Sequence, residues 1–129
     1  MTKGDIEQIK WCKKEIEMLE KQIDELRQQS FLGNSIGDGM PHARSTTSKV
    51  ESTSIKIYEL TVKLNERKSA LIKLVTEAIN FIYSIEDSLL RMIIKYRCID
   101  GLSWQEISDI LGIERTTISK KYDAFFKAL

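Results

Sequence analysis

Residues 104–123, WQEISDILGIERTTISKKYD, carry the most specific pattern in the chain: two helical segments separated by a glycine. Ile107 and Leu111 share one face of the first segment, and Ile118 lies on the inward face of the second. Gly112 is able to adopt the positive φ that a tight turn between two helices requires. The pattern therefore predicts a helix-turn-helix, with a second helix that begins just after the turn.

The residues around this pattern carry helix-boundary signals. Gly101 ends the preceding helix as a left-handed cap, and Ser103 and Glu106 form a capping box that starts the next one. Ser108 falls where the two helices approach most closely, and only a small side chain fits there. The predicted core face of the last helix consists of Ile118, Tyr122, Phe125 and Phe126.

The outward face of the last helix has the chemistry of a DNA-reading surface. Its members are polar or basic groups that are able to meet base edges or phosphates. They are Arg115, Thr116, Ser119 and Lys120, with Lys121 and Lys127 beside them. A merely solvated helix would more often alternate Glu and Lys, so this face favours contact with DNA. Helical hairpins with a glycine turn also occur, however, in proteins that bind no nucleic acid.

Charge in the C-terminal region is weak for a DNA-binding domain. Residues 113–129 carry four basic and two acidic side chains, whereas residues 85–129 carry seven of each sign. We therefore expect low affinity for a single DNA site, raised by a second DNA contact or by tethering.

Two long helices are predicted upstream. The first runs from about Asp5, its expected N-cap, to Gln29, and the second begins at a capping box formed by Ser48 and Glu51. Both have apolar residues at alternating spacings of three and four, typical of a heptad seam. The first seam is Ile9, Cys12, Ile16, Leu19, Ile23 and Leu26; the second is Ile57, Leu60, Leu64, Arg67, Leu71, Leu74, Ala78 and Phe81.

Residues 30–48 contain three of the six glycines, the only proline and the only histidine, His42, and are predicted to be a linker. The two helices then fold back as an antiparallel hairpin, or the same seams form a dimeric coiled coil. Arg67 either pairs with an acidic group across its seam or lies at the edge. The expected division is 1–83, for oligomerisation or partner contact, and 84–129, the DNA-binding domain.

At the start of the second part, Ser84 and Asp87 are predicted to form another capping box that starts a helix with a wide apolar face. That face consists of Leu89, Leu90, Ile93, Ile94 and Ile99.

Composition argues against several classes of function. The 129 residues contain 20 Lys plus Arg, 19 Asp plus Glu, two Cys and one His. One chain therefore cannot supply the usual four Cys or His ligands of a zinc site, and it offers no catalytic set built on His or Cys. We expect no enzymatic activity, no cofactor and no metal, and we expect Cys12 and Cys98 to be reduced, buried thiols. The chain has no apolar leader and no membrane-length apolar run, which predicts a cytoplasmic protein.

Residues 101–129 resemble region 4 of bacterial sigma factors, which binds the promoter −35 element. The family pattern falls on Gly101, Leu102, Ser103, Glu106, Ile107, Leu111, Gly112, Ile113, Arg115 and Ile118. The preceding helix is similar to the one that leads into that motif. The whole layout also resembles small phage proteins related to the RinA and ArpU late-gene activators, which join an N-terminal helical region to a sigma-like motif.

The resemblance implies that Arg115, Thr116, Ser119 and Lys120 read bases in the major groove. It also implies that phosphates are contacted by Ser103, Gln105, Thr117 and Lys121. Thr117 and Ser119 stand where sigma factors commonly have Arg, so the −35 preference does not transfer. The first 84 residues also lack a promoter-melting region, which excludes initiation by this chain alone.

The sequence thus predicts an all-α, phage-encoded transcriptional regulator that binds double-stranded DNA. Homodimers or higher homo-oligomers are expected, RNA polymerase is a further partner to consider, and no membrane is involved. Two alternatives stay open: a DNA-packaging adaptor like a small terminase subunit, and a helical interaction protein that does not bind DNA.

Overall fold

The structure, a computed structural model, describes the backbone of residues 1–36 and 43–129 and the side chains of residues 1–29 and 50–129. Every regular element in this part of the chain is a helix, and none is a strand. The helices are α1 (Lys3–Ile36), α2 (Ala43–Tyr83), α3 (Ser88–Ile94, continued by a π-helical turn at Lys95–Ile99), α4 (Trp104–Leu111) and α5 (Arg115–Ala128). The predicted all-α class is confirmed.

The two long helices extend further than predicted, into both ends of the expected linker at 30–48. Helix α1 ends at Ile36, and α2 begins at Ala43, so Ser48 is inside a helix and does not begin one. The residues from Ala43 to Ser48 include neither Gly nor Pro, so no residue there breaks the helix. His42 lies outside the described residues.

The start of α1 corrects a second expectation. The N-cap is Thr2, whose Oγ1 accepts a hydrogen bond from the Asp5 amide at 3.2 Å. The Asp5 carboxylate in turn accepts one from the Thr2 amide at 3.0 Å, and this bond lowers the pKa of Asp5. Asp5 is therefore the third helical residue of a capping box, because the hydroxyl of Thr2 lies three residues earlier.

Helix α3 also begins later than the predicted box at Ser84. Helix α2 continues to Tyr83, and the Ser84 hydroxyl donates to the Phe81 carbonyl at 2.5 Å. The N-cap is Asp87, whose Oδ1 accepts from the amides of Leu89 and Leu90 at 3.0 and 3.4 Å. Asp87 takes this place because Ser84 is still bonded to the last turn of α2.

The described chain divides into two compact units. One unit is Lys14–Ser69, and the other combines Met1–Lys13 with Ala70–Leu129. Residues 84–129 all fall in the second unit, together with the beginning of α1 and the end of α2. The functional division at residues 83 and 84 stays a prediction.

In the unit Lys14–Ser69, α1 and α2 run antiparallel and bury their predicted seams within one chain. Arg67 Nε lies 2.9 Å from Glu15 Oε1, whereas Ile23 lines a small cavity with Leu64. Arg67 thus pairs with an acidic group across the seam. The buried seam residues here are Ile16, Leu19, Ile23 and Leu64.

The unit that contains the C-terminus has one hydrophobic core. Ile6 and Ile9 of α1 have no exposed surface and belong to the same cluster as Ala78 and Ile82 of α2. The other buried members are Ile85, Leu90, Ile93, Ile94, Cys98, Ile107, Ile118, Tyr122 and Phe126. The predicted apolar faces of the C-terminal helices therefore meet the ends of the long helices.

Both cysteines are free thiols, and they differ in burial. Cys98 is buried and its Sγ lies 3.3 Å from the Tyr122 hydroxyl, whereas Cys12 is half-buried. Burial raises the pKa of Cys98 and also the pKa of Tyr122, because the charged forms would lose hydration.

Candidate nucleic-acid interface

The junction between α4 and α5 depends on one glycine and one serine. Gly112 has a φ of 69° and ends α4, and its amide donates to the Ser108 carbonyl at 2.8 Å. The Ser108 hydroxyl donates to the Ile113 carbonyl on the far side of the turn at 2.6 Å. Ser108 therefore provides a hydrogen bond as well as the small size that the sequence required, and this bond holds the start of α5 against α4.

The inward face of α5 is anchored by aromatic packing. Tyr122 is 2% exposed, and its ring lies 5.1 Å from that of Trp104 in an edge-on arrangement. The guanidinium carbon of Arg97 lies 4.3 Å above the Trp104 ring. Trp104 thus packs between Tyr122 and Arg97. The predicted core face is confirmed, with Ile118, Tyr122 and Phe126 buried and Phe125 half-buried.

The outward face of α5 begins with four exposed residues, Arg115, Thr116, Thr117 and Lys120. In residues 1–29 and 50–129, none of these four side chains forms a hydrogen bond or an ion pair. Ser119 is half-buried, and its hydroxyl donates to the Thr116 carbonyl at 3.2 Å. Arg115 and Thr116 are followed by Ser119 and Lys120 one turn later, so these four predicted base-reading residues share one side of the helix.

The first turn of α5 has no side-chain cap. Its N-cap is Glu114, whose side chain makes no capping hydrogen bond, although its carbonyl accepts from the Ile118 amide at 3.2 Å. Amides at an uncapped helix start carry partial positive charge and are able to donate to an anion. The start of α5 therefore has amides that are able to donate to an anion, next to the exposed side chains of Glu114 and Arg115.

Lys121, predicted to contact phosphate, is engaged elsewhere. Its Nζ lies 2.7 Å from Asp87 Oδ2, so the pair joins α5 to the N-terminus of α3. The hydrogen bond from Lys121 lowers the pKa of Asp87, and the amides of Leu90 and Leu89 lower it further. Sequence reasoning missed this pair because the two residues are far apart in the chain and no periodic pattern connects them.

Ser103 and Gln105 also have partners within the chain. Ser103 Oγ caps α4 by accepting from the Glu106 amide at 3.2 Å, as the capping box predicts, and it donates to Glu106 Oε1 at 3.1 Å. Gln105 Nε2 donates to Asp109 Oδ1 at 3.0 Å. Both residues remain exposed. Their contact with phosphate stays a prediction, and it would compete with these bonds.

Two acidic side chains belong to α5 and its N-cap, Asp123 and Glu114, and one of them forms an ion pair. Asp123 lies 3.3 Å from Lys3 Nζ of α1, in a pair whose two side chains are exposed. Glu114 is exposed next to Arg115. At the start of α5, the charged side chains that form no ion pair in the described chain are therefore Arg115, Lys120 and Glu114. Together they leave a small positive excess.

Comparison with protein-family models, with curated proteins and with solved structures found no match to the chain. Within the residues that the structure describes, no helix combines the length and apolar character needed to cross a membrane.

Proposed function

We propose that this chain is a DNA-binding regulator that places α5 in the major groove. The observation that carries the proposal is the outward side of α5, where Arg115, Thr116 and Lys120 are exposed and make no side-chain bond to the rest of the described chain. Their inward neighbours Ile118 and Tyr122 are buried, so this face is held on a rigid support. Exposed polar and basic side chains on a supported helix are what direct readout of base edges requires.

Each exposed group has a role in this proposal. Arg115 and Lys120 donate to guanine edges or phosphates, and Thr116 contacts base edges, with Thr117 on the flanking phosphates. The uncapped amides at the start of α5 add a further donor set for phosphate. Lys121 positions α5 through Asp87 instead of contacting DNA.

The proposal is tested with the full chain and a random-sequence duplex DNA library. Wild-type protein is expected to enrich a subset of duplexes, and fluorescence anisotropy on an enriched duplex then gives a Kd at several salt concentrations. Arg115→Ala combined with Lys120→Ala is expected to raise that Kd by at least about tenfold, because each base or phosphate contact is worth about 1–3 kcal/mol. The salt slope is expected to decrease by about one for each phosphate that the variant no longer neutralises.

The matched control is Lys56→Ala combined with Lys63→Ala, which removes the same charge from exposed positions of α2. This control is expected to leave the Kd and its salt slope nearly unchanged. Failure of the wild-type chain to enrich or bind any duplex at low salt would contradict the proposal and favour a helical interaction protein. An equal rise of the Kd in both double variants would show non-specific attraction instead of a reading helix.

A further inference from the structure

Helix α2 carries a second heptad seam, on the side opposite the seam that faces α1. Its nine positions are spaced three and four residues apart; six of them are apolar or aromatic, and Asn65, Ser69 and Thr76 are polar. In heptad notation, the a positions are Ile55, Val62, Ser69, Thr76 and Tyr83, and the d positions are Tyr58, Asn65, Ile72 and Ile79. The seam facing α1 occupies the c and f positions of the same repeat, so the second seam is on the far side of the helix.

This second seam is exposed along its length. In the unit Lys14–Ser69, Ile55 and Tyr58 are 58% and 71% exposed. In the unit that contains the C-terminus, Ile72 and Tyr83 are 69% and 77% exposed. A stripe of exposed large apolar residues at heptad spacing is costly in water and marks an interaction surface. We call these nine a and d positions the outer seam.

We propose that the outer seam is a self-association surface on which α2 of a second copy packs in the antiparallel direction. The inference stands on α2 alone and is independent of the proposed DNA binding. The partner is a second copy, because one antiparallel register pairs eight of the nine outer-seam positions with one another and leaves out Ile55 alone.

In that register, three of the four kinds of layer bring together side chains of similar chemistry. Tyr58 of one copy lies opposite Tyr83 of the other, so the two aromatic residues form one layer. Val62 lies opposite Ile79, an aliphatic layer, and Asn65 lies opposite Thr76, a polar one. The remaining layer places the small Ser69 opposite Ile72. The four layers are Tyr58–Tyr83, Val62–Ile79, Asn65–Thr76 and Ser69–Ile72, each formed twice in a symmetric dimer.

The charges that flank the outer seam favour the antiparallel direction. Glu66 and Lys73 occupy e positions and meet across an antiparallel interface, where they form two opposite-charge pairs in a dimer. Both are exposed, and neither makes an ion pair within the described part of the chain. A parallel dimer would instead bring Lys73 towards Lys68 of the other copy, which already pairs with Glu20 of its own chain at 3.5 Å, so Lys73 would gain no opposite charge there.

The association itself is tested by sedimentation equilibrium of the full chain over a series of protein concentrations. Wild-type protein is expected to form a dimer, and Ile72→Asp is expected to shift it to monomer. The control is Ala70→Asp, which puts the same side chain at an exposed position between the two seams and is expected to leave the dimer intact. Unchanged circular dichroism in both variants shows that folding is retained. A wild-type chain that stays monomeric, or a dimer unaffected by Ile72→Asp, would overturn the proposal.

The direction is tested by charge reversal at the two e positions. Glu66→Lys alone and Lys73→Glu alone are each expected to raise the dimer Kd by about tenfold, because attractive pairs become repulsive. An equimolar mixture of the two variants is expected to restore association, since the heterodimer regains both opposite-charge pairs. If Lys73→Glu instead tightened the dimer, its contact with Lys68 in a parallel dimer would be the cause, and the antiparallel register would be wrong.

Discussion

At the residue scale, the pair between Lys121 and Asp87 shows how a side chain that looks suited to DNA can be used for structure. The carboxylate of Asp87 accepts two helix amides and the Lys121 ammonium together. Lys120, the residue before Lys121, is by contrast exposed and makes no ion pair in the part of the chain that the structure describes. Two adjacent lysines on one helix therefore have different surroundings: Lys121 is paired with Asp87, and Lys120 faces solvent.

Replacing Lys121 with Met is expected to raise the pKa of Asp87 towards its ordinary value of 3.8, because the strongest interaction that lowers it is removed. The lowered pKa contributes stability that is present above the unfolded-state value and is lost as pH falls through the folded-state value. The variant should therefore lose less stability than wild type on acidification. NMR titration of the Asp87 carboxyl measures the shift. Lys120→Met is the control, and an equal shift in that variant would contradict the assignment.

At the scale of elements, the turn at Gly112 determines how α5 leaves α4. A Cβ added at this position would meet no atom within 4 Å, so the restriction on other residues comes from the positive φ alone. The Ser108 hydroxyl acts on the same turn through the Ile113 carbonyl. Backbone conformation and one side-chain hydrogen bond thus position the proposed reading helix.

Gly112→Ala is expected to lower the free energy of unfolding by about 1–2 kcal/mol, the cost of a left-handed conformation for an L-residue. Gly4→Ala is the matched control, because Gly4 lies inside α1 and an added Cβ would make only ordinary contact with Thr2. That control is expected to be stabilising by about 0.5–1 kcal/mol. Urea denaturation measures both changes, and a destabilisation of equal size in both variants would argue against the role of φ.

At the scale of the whole molecule, the C-terminal helices do not have a core of their own. Ile6 and Ile9, near the start of the chain, are fully buried in the same cluster as Ile107 and Ile118. The ends of the long helices are therefore part of the support for α5. Stability of the proposed reading helix should depend on residues about a hundred positions away in sequence.

Ile9→Ala is expected to cost about 2–5 kcal/mol of stability, as for other large-to-small changes in a core. It is also expected to reduce the hydrogen-exchange protection of the α5 amides, because those helices share one cooperative core. Met18→Ala, at a position 51% exposed on α1, is the control and should alter α5 protection little. Full protection of α5 in Ile9→Ala would show that residues 84–129 fold independently, as the sequence-based division assumed.

Sequence alone predicted the helical class, the seams of α1 and α2, the Ser103 cap and the turn at Gly112. These features are local or periodic, and the residue types that produce them are few. The cap positions at Thr2 and Asp87 could have been found from the same signals, but neighbouring polar residues offered competing solutions.

The folded chain was needed to learn which polar groups on α5 have partners and which side of α2 remains exposed. The Lys121–Asp87 pair and the burial of Ile6 and Ile9 under the C-terminal helices join residues that are distant in sequence. Periodicity identifies a face of a helix but carries no information about what covers it. That is decided by the packing of the complete chain, in which each surface competes for the partners within reach.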